Sequence, residues 1–245
     1  MIFFVGIRAI GRNLNLRKKT YVRDYRYILP FKAFEPFHDY DHYLKPKTEA
    51  EANNTLDQDQ VLSRLHGLAK RFSGSKSYHN YTRRGKYKKE QQHIRYLKSI
   101  EVSKVQTNLP LQQDYLELRF VGASFVYNQI RKMVGCLLQA WHTKPTKGVE
   151  FIDHSLQPGN KASVWLAPAK GLYLHDVNFY YWAAKENDEH SYKSLEVSRL
   201  EEKRIEDFFE SAIFTELLDE DDLVFADWLE SRVNYKEGYF RQGSD

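Results

Sequence analysis

The stretch SFVYNQIRKMVGCLLQAWH (124–142) limits the possible folds more than any other part of the chain. Phe125, Val126, Ile130, Met133, Val134, Leu137, Leu138 and Trp141 recur at helical spacing and form one broad apolar face. A face that wide has to be covered, and the segments around it have the pattern of strands. VRDYRYILP (22–30) alternates, is rich in aromatic and β-branched residues, and stops at Pro30. Two further strands are expected near 97–106 and 114–121, with Gln112, Gln113 and Asp114 making a tight antiparallel connection. LYLHDVNFYY (172–181) reads as a last strand. A helix over 57–71 sets Val61, Leu62, Leu65 and Leu68 on one side, and another helix is expected around 148–156. Strand, helix, two strands, helix and strand in that order predict an α+β fold, an antiparallel or mixed sheet with helices packed on one face.

Residues 31–56 are irregular and polar and read as a surface loop, as does 72–93. From Glu196 onward, VSRLEEKRIEDFFESAIFTELL is an acidic amphipathic helix expected to pack on the outside. Charge divides the chain in the same place. Residues 1–181 carry 29 Lys+Arg against 15 Asp+Glu, a net of +14, and residues 182–245 carry 8 against 18, a net of −10. The densest basic stretch, 61–104, has 12 Lys+Arg opposed only by Glu90 and Glu101. A field of that sign draws polyanions, RNA foremost, although a solvated lysine-rich loop has the same composition. No run approaches the roughly 18 apolar residues of a membrane span, and MIFFVGIRAIG is too short and too lightly flanked for a signal peptide. Cys136, the only cysteine, excludes a disulfide within the chain and any multi-cysteine zinc site.

Three constellations can carry chemistry. Arg131 sits at the edge of the long helix's apolar stripe, with Lys132 further toward its polar side. A guanidinium there either snorkels to water or pairs with an acid or anion. Tyr25 and Tyr27 share one face of the first strand with Arg23, while Asp24 and Arg26 point the other way. Strand tyrosines usually pack, but one at the rim of a cleft can stack on a flipped base. FSGSKSYHNYTRRGKYKK (72–89) mixes rings, bases and small polar residues, a composition suited to looped RNA. The histidines have no HExxH spacing, there is no Walker loop and no GxGxxG, and Cys136 lies on an apolar helix face.

Four blocks together resemble one family. LRFVGASFVYNQIRKMVGCLL resembles the "G-x-SF … IRKMVG-x-LL" segment of TruA-type tRNA pseudouridine synthases. GSKSYHNYT resembles their "G-T-x-S-[FY]-HN-[FY]-T" loop, VRDYRYILP their "R-x-Y-x-Y-x-LP" strand, and LAPAKGLYLHDVNF their "APA-x-GL" closing strand. The blocks keep the family's order over residues 22–180, and the acidic tail is similar to that of the eukaryotic nuclear branch.

The resemblance implies an isomerase that converts uridine to pseudouridine in tRNA, breaking the glycosidic bond and rejoining carbon 5 of uracil to the ribose. It implies no metal, no small-molecule cofactor and no membrane partner. The flipped base would lie against Tyr25, and Arg131 would pair with a nucleophilic aspartate. His79, Asn80, Arg83, Arg84, Lys86, Lys88, Lys89 and Lys132 would hold the tRNA. Residues 1–182 would form a synthase-like domain, incomplete at its N-terminus, and 183–245 an acidic helical extension. The nucleus is the expected compartment, with cytoplasm or mitochondrion as alternatives. Two departures stand out. The family's "G-R-T-D" motif, which carries the aspartate, occurs nowhere in the chain, and GIRAIGRNLNLRKKT already resembles the stretch after it. Tyr127 and Asn128 stand where the family usually has Leu or Arg followed by His. A truncated enzyme without its nucleophile is therefore expected, and a catalytically silent RNA-binding module is the alternative.

Overall fold

The computed structural model describes residues 20–34, 57–83, 90–107, 109, 114–178, 199–218 and 224–240. Val22–Pro30 (β1), Gly74–Ser77 (β2), Ile94–Lys104 (β3), Tyr115–Gly122 (β4) and Leu172–Asn178 (β5) form one sheet. Its order is β2-β3-β4-β1-β5, and every neighbouring pair is antiparallel. The α+β fold expected from the pattern is the observed one. Alternation in β1 gives it two working faces: Tyr25, Tyr27 and Leu29 stand opposite Phe120, Leu118 and Leu116 on one face. Asp24, Arg26 and Ile28 occupy the other.

Strand β2 falls in a stretch that reads as loop, because GSKS has no apolar alternation. A short edge strand needs only backbone pairing, and Gly74–Ser77 pairs with Ile94–Leu97 without burying a single large side chain.

Helices cover the Tyr25 face. Gln58–Ala69 (α1) begins at Asp57, whose carboxylate accepts from the Asp59 amide, and buries Val61, Leu65 and Leu68. Gln129–Trp141 (α2) is the long apolar helix. It starts later than its periodicity implies because Asn128 takes a left-handed φ of 65°, which no regular helix contains. Pro145–Leu156 (α3) follows, with Pro145 in its first turn. Gly135 of α2 meets the 164–168 segment so closely that a Cβ there would lie 2.2 Å from the Trp165 carbonyl oxygen. No described helix is long and apolar enough to cross a membrane.

The tail covers both sides. Arg199–Phe208 (α4) runs on through a π-helical turn, Phe209–Phe214, and a last turn at Thr215–Leu217. Phe214 and Leu218 bury themselves with Ile28 and Tyr115 on the face away from α2. Val224–Phe240 (α5), not anticipated from sequence, instead joins the main core through Leu229, with Phe225 and Trp228 packed beside it.

Candidate active site

Two β-bulges lie at one level of the sheet. In β5, Asp24 pairs with Asp176 but Tyr25 pairs with Leu174, which leaves His175 as the extra residue. In β3, Leu97 and Ser99 face Gly122 and Val121, which leaves Lys98 over. Because Arg23 pairs with Gly122 and Asp24 with Val121, both irregularities fall beside the end of β1. Bulges bend a sheet and re-aim side chains, and they recur next to active sites. Here they flank Tyr25, whose half-buried ring meets Phe125 edge-on at 5.3 Å. Leu174, opposite Tyr25, is 48% exposed. Arg23, also half-buried, donates to the Ala123 carbonyl at 2.6 Å.

Arg131 lies in the first turn of α2 and is held by one residue of another segment. Its Nε donates to the Ala167 carbonyl at 2.7 Å, while its own carbonyl accepts from the Ala167 amide at 3.1 Å. Tyr27, fully buried, donates its hydroxyl to the next carbonyl, Pro168, at 2.9 Å. Burial pushes the Tyr27 phenol far up, and the nearby Arg131 charge opposes that shift. Among the described residues no carboxylate lies within ion-pair distance of Arg131. A half-buried guanidinium fixed through Nε, with its remaining N–H groups on the fork side, is a receptor for a carboxylate or another anion.

Asp24 stands apart from Tyr25 and Arg131. It lies on the opposite face, buried, and accepts from Arg119 Nε at 2.7 Å. Arg119 also reaches Glu101, and Arg26 pairs with Glu117 at 3.1 Å, so this face carries a network of ion pairs.

His79 and Asn80 spend their polar atoms inside the protein. His79 Nε2 lies 2.6 Å from the Asn160 carbonyl and Nδ1 lies 3.0 Å from the Ser77 hydroxyl, which suits the tautomer with its proton on Nε2. Asn80 Nδ2 donates to the carbonyls of Ser155 (2.8 Å) and Asn160 (3.0 Å), and its Oδ1 accepts from the Ala162 amide (3.1 Å). Lys132 Nζ donates to the Asn80 carbonyl at 2.8 Å. Thus the "HN" pair ties the 160–162 loop to α2 beside Arg131. Arg83 is exposed at the end of this turn. Arg84, Lys86, Lys88 and Lys89 lie outside the described residues.

A family model described as tRNA pseudouridine synthase matches residues 68–180. "tRNA pseudouridine synthase A" of Methanocaldococcus jannaschii is 29% identical over 181 residues, 72% of this chain and 56% of that protein. "Pseudouridylate synthase 1 homolog" of Homo sapiens is 25% identical over 235 residues, 93% of this chain and 50% of that protein. "tRNA pseudouridine synthase 1" of Saccharomyces cerevisiae is 29% identical over 142 residues, 58% of this chain and 25% of that protein. Over residues 68–180 the chain is thus similar to tRNA pseudouridine synthases. It spans about half the length of the relatives from Methanocaldococcus jannaschii and Homo sapiens.

The matched stretch contains Arg131, Lys132, His79, Asn80 and the Ala167 segment, whereas Tyr25 lies before it. The structure brings Tyr25 back to that stretch through β1, whose two neighbours, β4 and β5, both lie inside it. Sequence reasoning singled out Arg131 and Tyr25 but missed what holds them. Ala167 acts through its backbone and Phe125 looked like ordinary helix core. The only signal for either was the pair of family blocks in which they stand.

Proposed function

We propose that this chain isomerises uridine to pseudouridine in tRNA, with Arg131 holding the nucleophilic carboxylate and Tyr25 forming one wall of the flipped-base pocket. Arg131 carries the reading: a guanidinium half out of water, clamped to Ala167, has no acidic partner among the described residues. An arginine placed so keeps an incoming aspartate ionised and fixes its approach through charge-assisted hydrogen bonds. The carboxylate itself would come from a segment other than those described. Among the described residues β5 has no neighbour on its outer side, and Leu174 stands exposed there beside Tyr25. That edge is where such a segment would dock.

In the reaction the bond from the ribose to N1 of uracil breaks, the base turns, and the ribose bonds to C5. The C5 proton leaves and N1 regains one, so atoms balance without a redox partner. The basic 61–104 stretch and Lys132 would grip phosphates without reading sequence. A nuclear location is part of the same reading.

Pseudouridine formation on unmodified tRNA transcript, with filter binding on the same samples, tests this. In the whole protein, product that disappears in Arg131→Ala supports it. Binding without product, in the whole protein as well as in this chain, favours a silent RNA-binding module, the reading suggested by the missing G-R-T-D. Product from this chain alone would mean that another carboxylate attacks.

A further inference from the structure

The 163–168 segment is fastened to α2 at two points and to β1 at a third. Gln139 Nε2 donates to the Ser163 carbonyl at 3.2 Å, Arg131 exchanges two hydrogen bonds with Ala167, and Tyr27 holds Pro168. Its outer side is covered by α5. There Trp228 sets its ring edge-on to Trp165 at 5.9 Å, packs against Phe225 at 5.5 Å, and donates its indole N–H to the Leu166 carbonyl at 2.8 Å. The Leu166 carbonyl and the Ala167 amide belong to one planar peptide unit. Trp228 therefore pins the oxygen end of the plane whose nitrogen end bonds the Arg131 carbonyl. Fixing that plane leaves little freedom to the next carbonyl, Ala167, which is the acceptor for Arg131 Nε.

We propose that Trp228 is a positioning residue: the acidic C-terminal extension orients the Arg131 guanidinium through the 166–167 peptide. The role in turnover rests on the functional reading above, whereas the positioning of Arg131 does not. A group that supports an active-site side chain from behind changes how often that side chain is in its productive geometry, and leaves substrate contacts alone. The same observation gives a reason for a tryptophan at this position of α5. Burial of apolar area alone would be served as well by Phe or Leu.

The test uses Trp228→Phe, which keeps a ring for Trp165 and Phe225 and removes only the N–H donor. Trp141→Phe is the matched control, since Trp141 Nε1 donates to the Phe34 carbonyl at 2.6 Å, away from Arg131. Hydrogen exchange of the Arg131 Nε–H, read by NMR of 15N-arginine-labelled chain, should quicken in Trp228→Phe and stay at the wild-type rate in Trp141→Phe. Trp228→His, which restores a ring N–H, should recover part of the protection. In the whole enzyme Trp228→Phe should lower kcat about fivefold with KM unchanged, the rate equivalent of about 1 kcal/mol for one neutral hydrogen bond. Unchanged Arg131 exchange, or equal quickening in both variants, overturns the proposal. Faster exchange with undiminished kcat in an active enzyme overturns the catalytic consequence. If the protein makes no pseudouridine at all, the exchange difference still decides the positioning, so the two failures are separable.

Discussion

Arg131 is half-buried and bonds a backbone carbonyl, a partner that accepts a hydrogen bond but supplies no counter-charge. Removing the side chain should abolish pseudouridine formation, by at least about a hundredfold if it stabilises charge in the reaction, while tRNA affinity stays within a few fold. Equal turnover in Arg131→Ala would take Arg131 out of the site. Arg131→Lys should not rescue, because an ammonium cannot offer the planar fork that spans Ala167 and a carboxylate. Cys136 shows the opposite economy. It is fully buried, lies 3.3 Å from the Tyr81 hydroxyl, and burial pushes its thiol up to about 12. The folded chain should therefore resist a thiol reagent at pH 8 and react fully in denaturant. Because the folded state holds this proton more tightly, the contribution is complete below the unfolded thiol value of about 8.5 and is lost as pH rises toward the folded value. Denaturant midpoints should accordingly fall above about pH 9, where the unfolded thiol ionises first. A flat alkaline limb would contradict the burial.

Among the elements, the close approach of the 164–172 segment to its neighbours is the least forgiving. Gly171 has φ +96°, and a Cβ there would stand 2.4 Å from the Ile28 carbonyl, which is on a central strand and cannot move aside. Gly171→Ala and Gly135→Ala should each cost about 1–3 kcal/mol or more, read as a lower urea midpoint. By contrast Asp24→Asn changes a residue on the far face and should leave tRNA binding and turnover as they were. Loss of turnover there would show that the two faces communicate. Elements with a strong period were legible in the sequence: β1 runs over the expected 22–30, and α1 and α3 fall within a few residues of expectation. Strand β2 was not, since an edge strand pairs by backbone alone. Neither was α5, whose inner residues Phe225, Trp228 and Leu229 make a narrow face among acids. For the site, Arg131 stood out by its position at the edge of an apolar stripe. Its anchor did not, because any residue type offers a carbonyl and only the fold brings Ala167 there.

For the whole molecule, the charge division gives a test of its own. Reversing Arg83, Arg84, Lys86, Lys88 and Lys89 to Glu should weaken tRNA binding and flatten its salt dependence. Each phosphate that is no longer neutralised should reduce the slope of log affinity against log salt by about 0.7–0.9. An unchanged slope would mean that this run is only solvated surface. In the tail, charged side chains of both signs take the exposed positions of α4 (Lys203, Arg204, Glu206 and Asp207 all face solvent), while Phe209 packs on Tyr173 and His175 of the sheet. The position of β1 has a further effect, on assembly. Of the five strands it is made first, yet it sits between β4 and β5, which are made last, and so it waits during synthesis with Tyr27, Ile28 and Leu29 uncovered. The β3–β4 pair closes over a short connection and can form early, whereas β1 has to close long loops before any pairing rewards it. Refolding should thus be slow and limited by docking of β1. Substitutions at Tyr27 should lower the refolding rate, and an early-exposed aromatic strand of this kind is a natural target for chaperones.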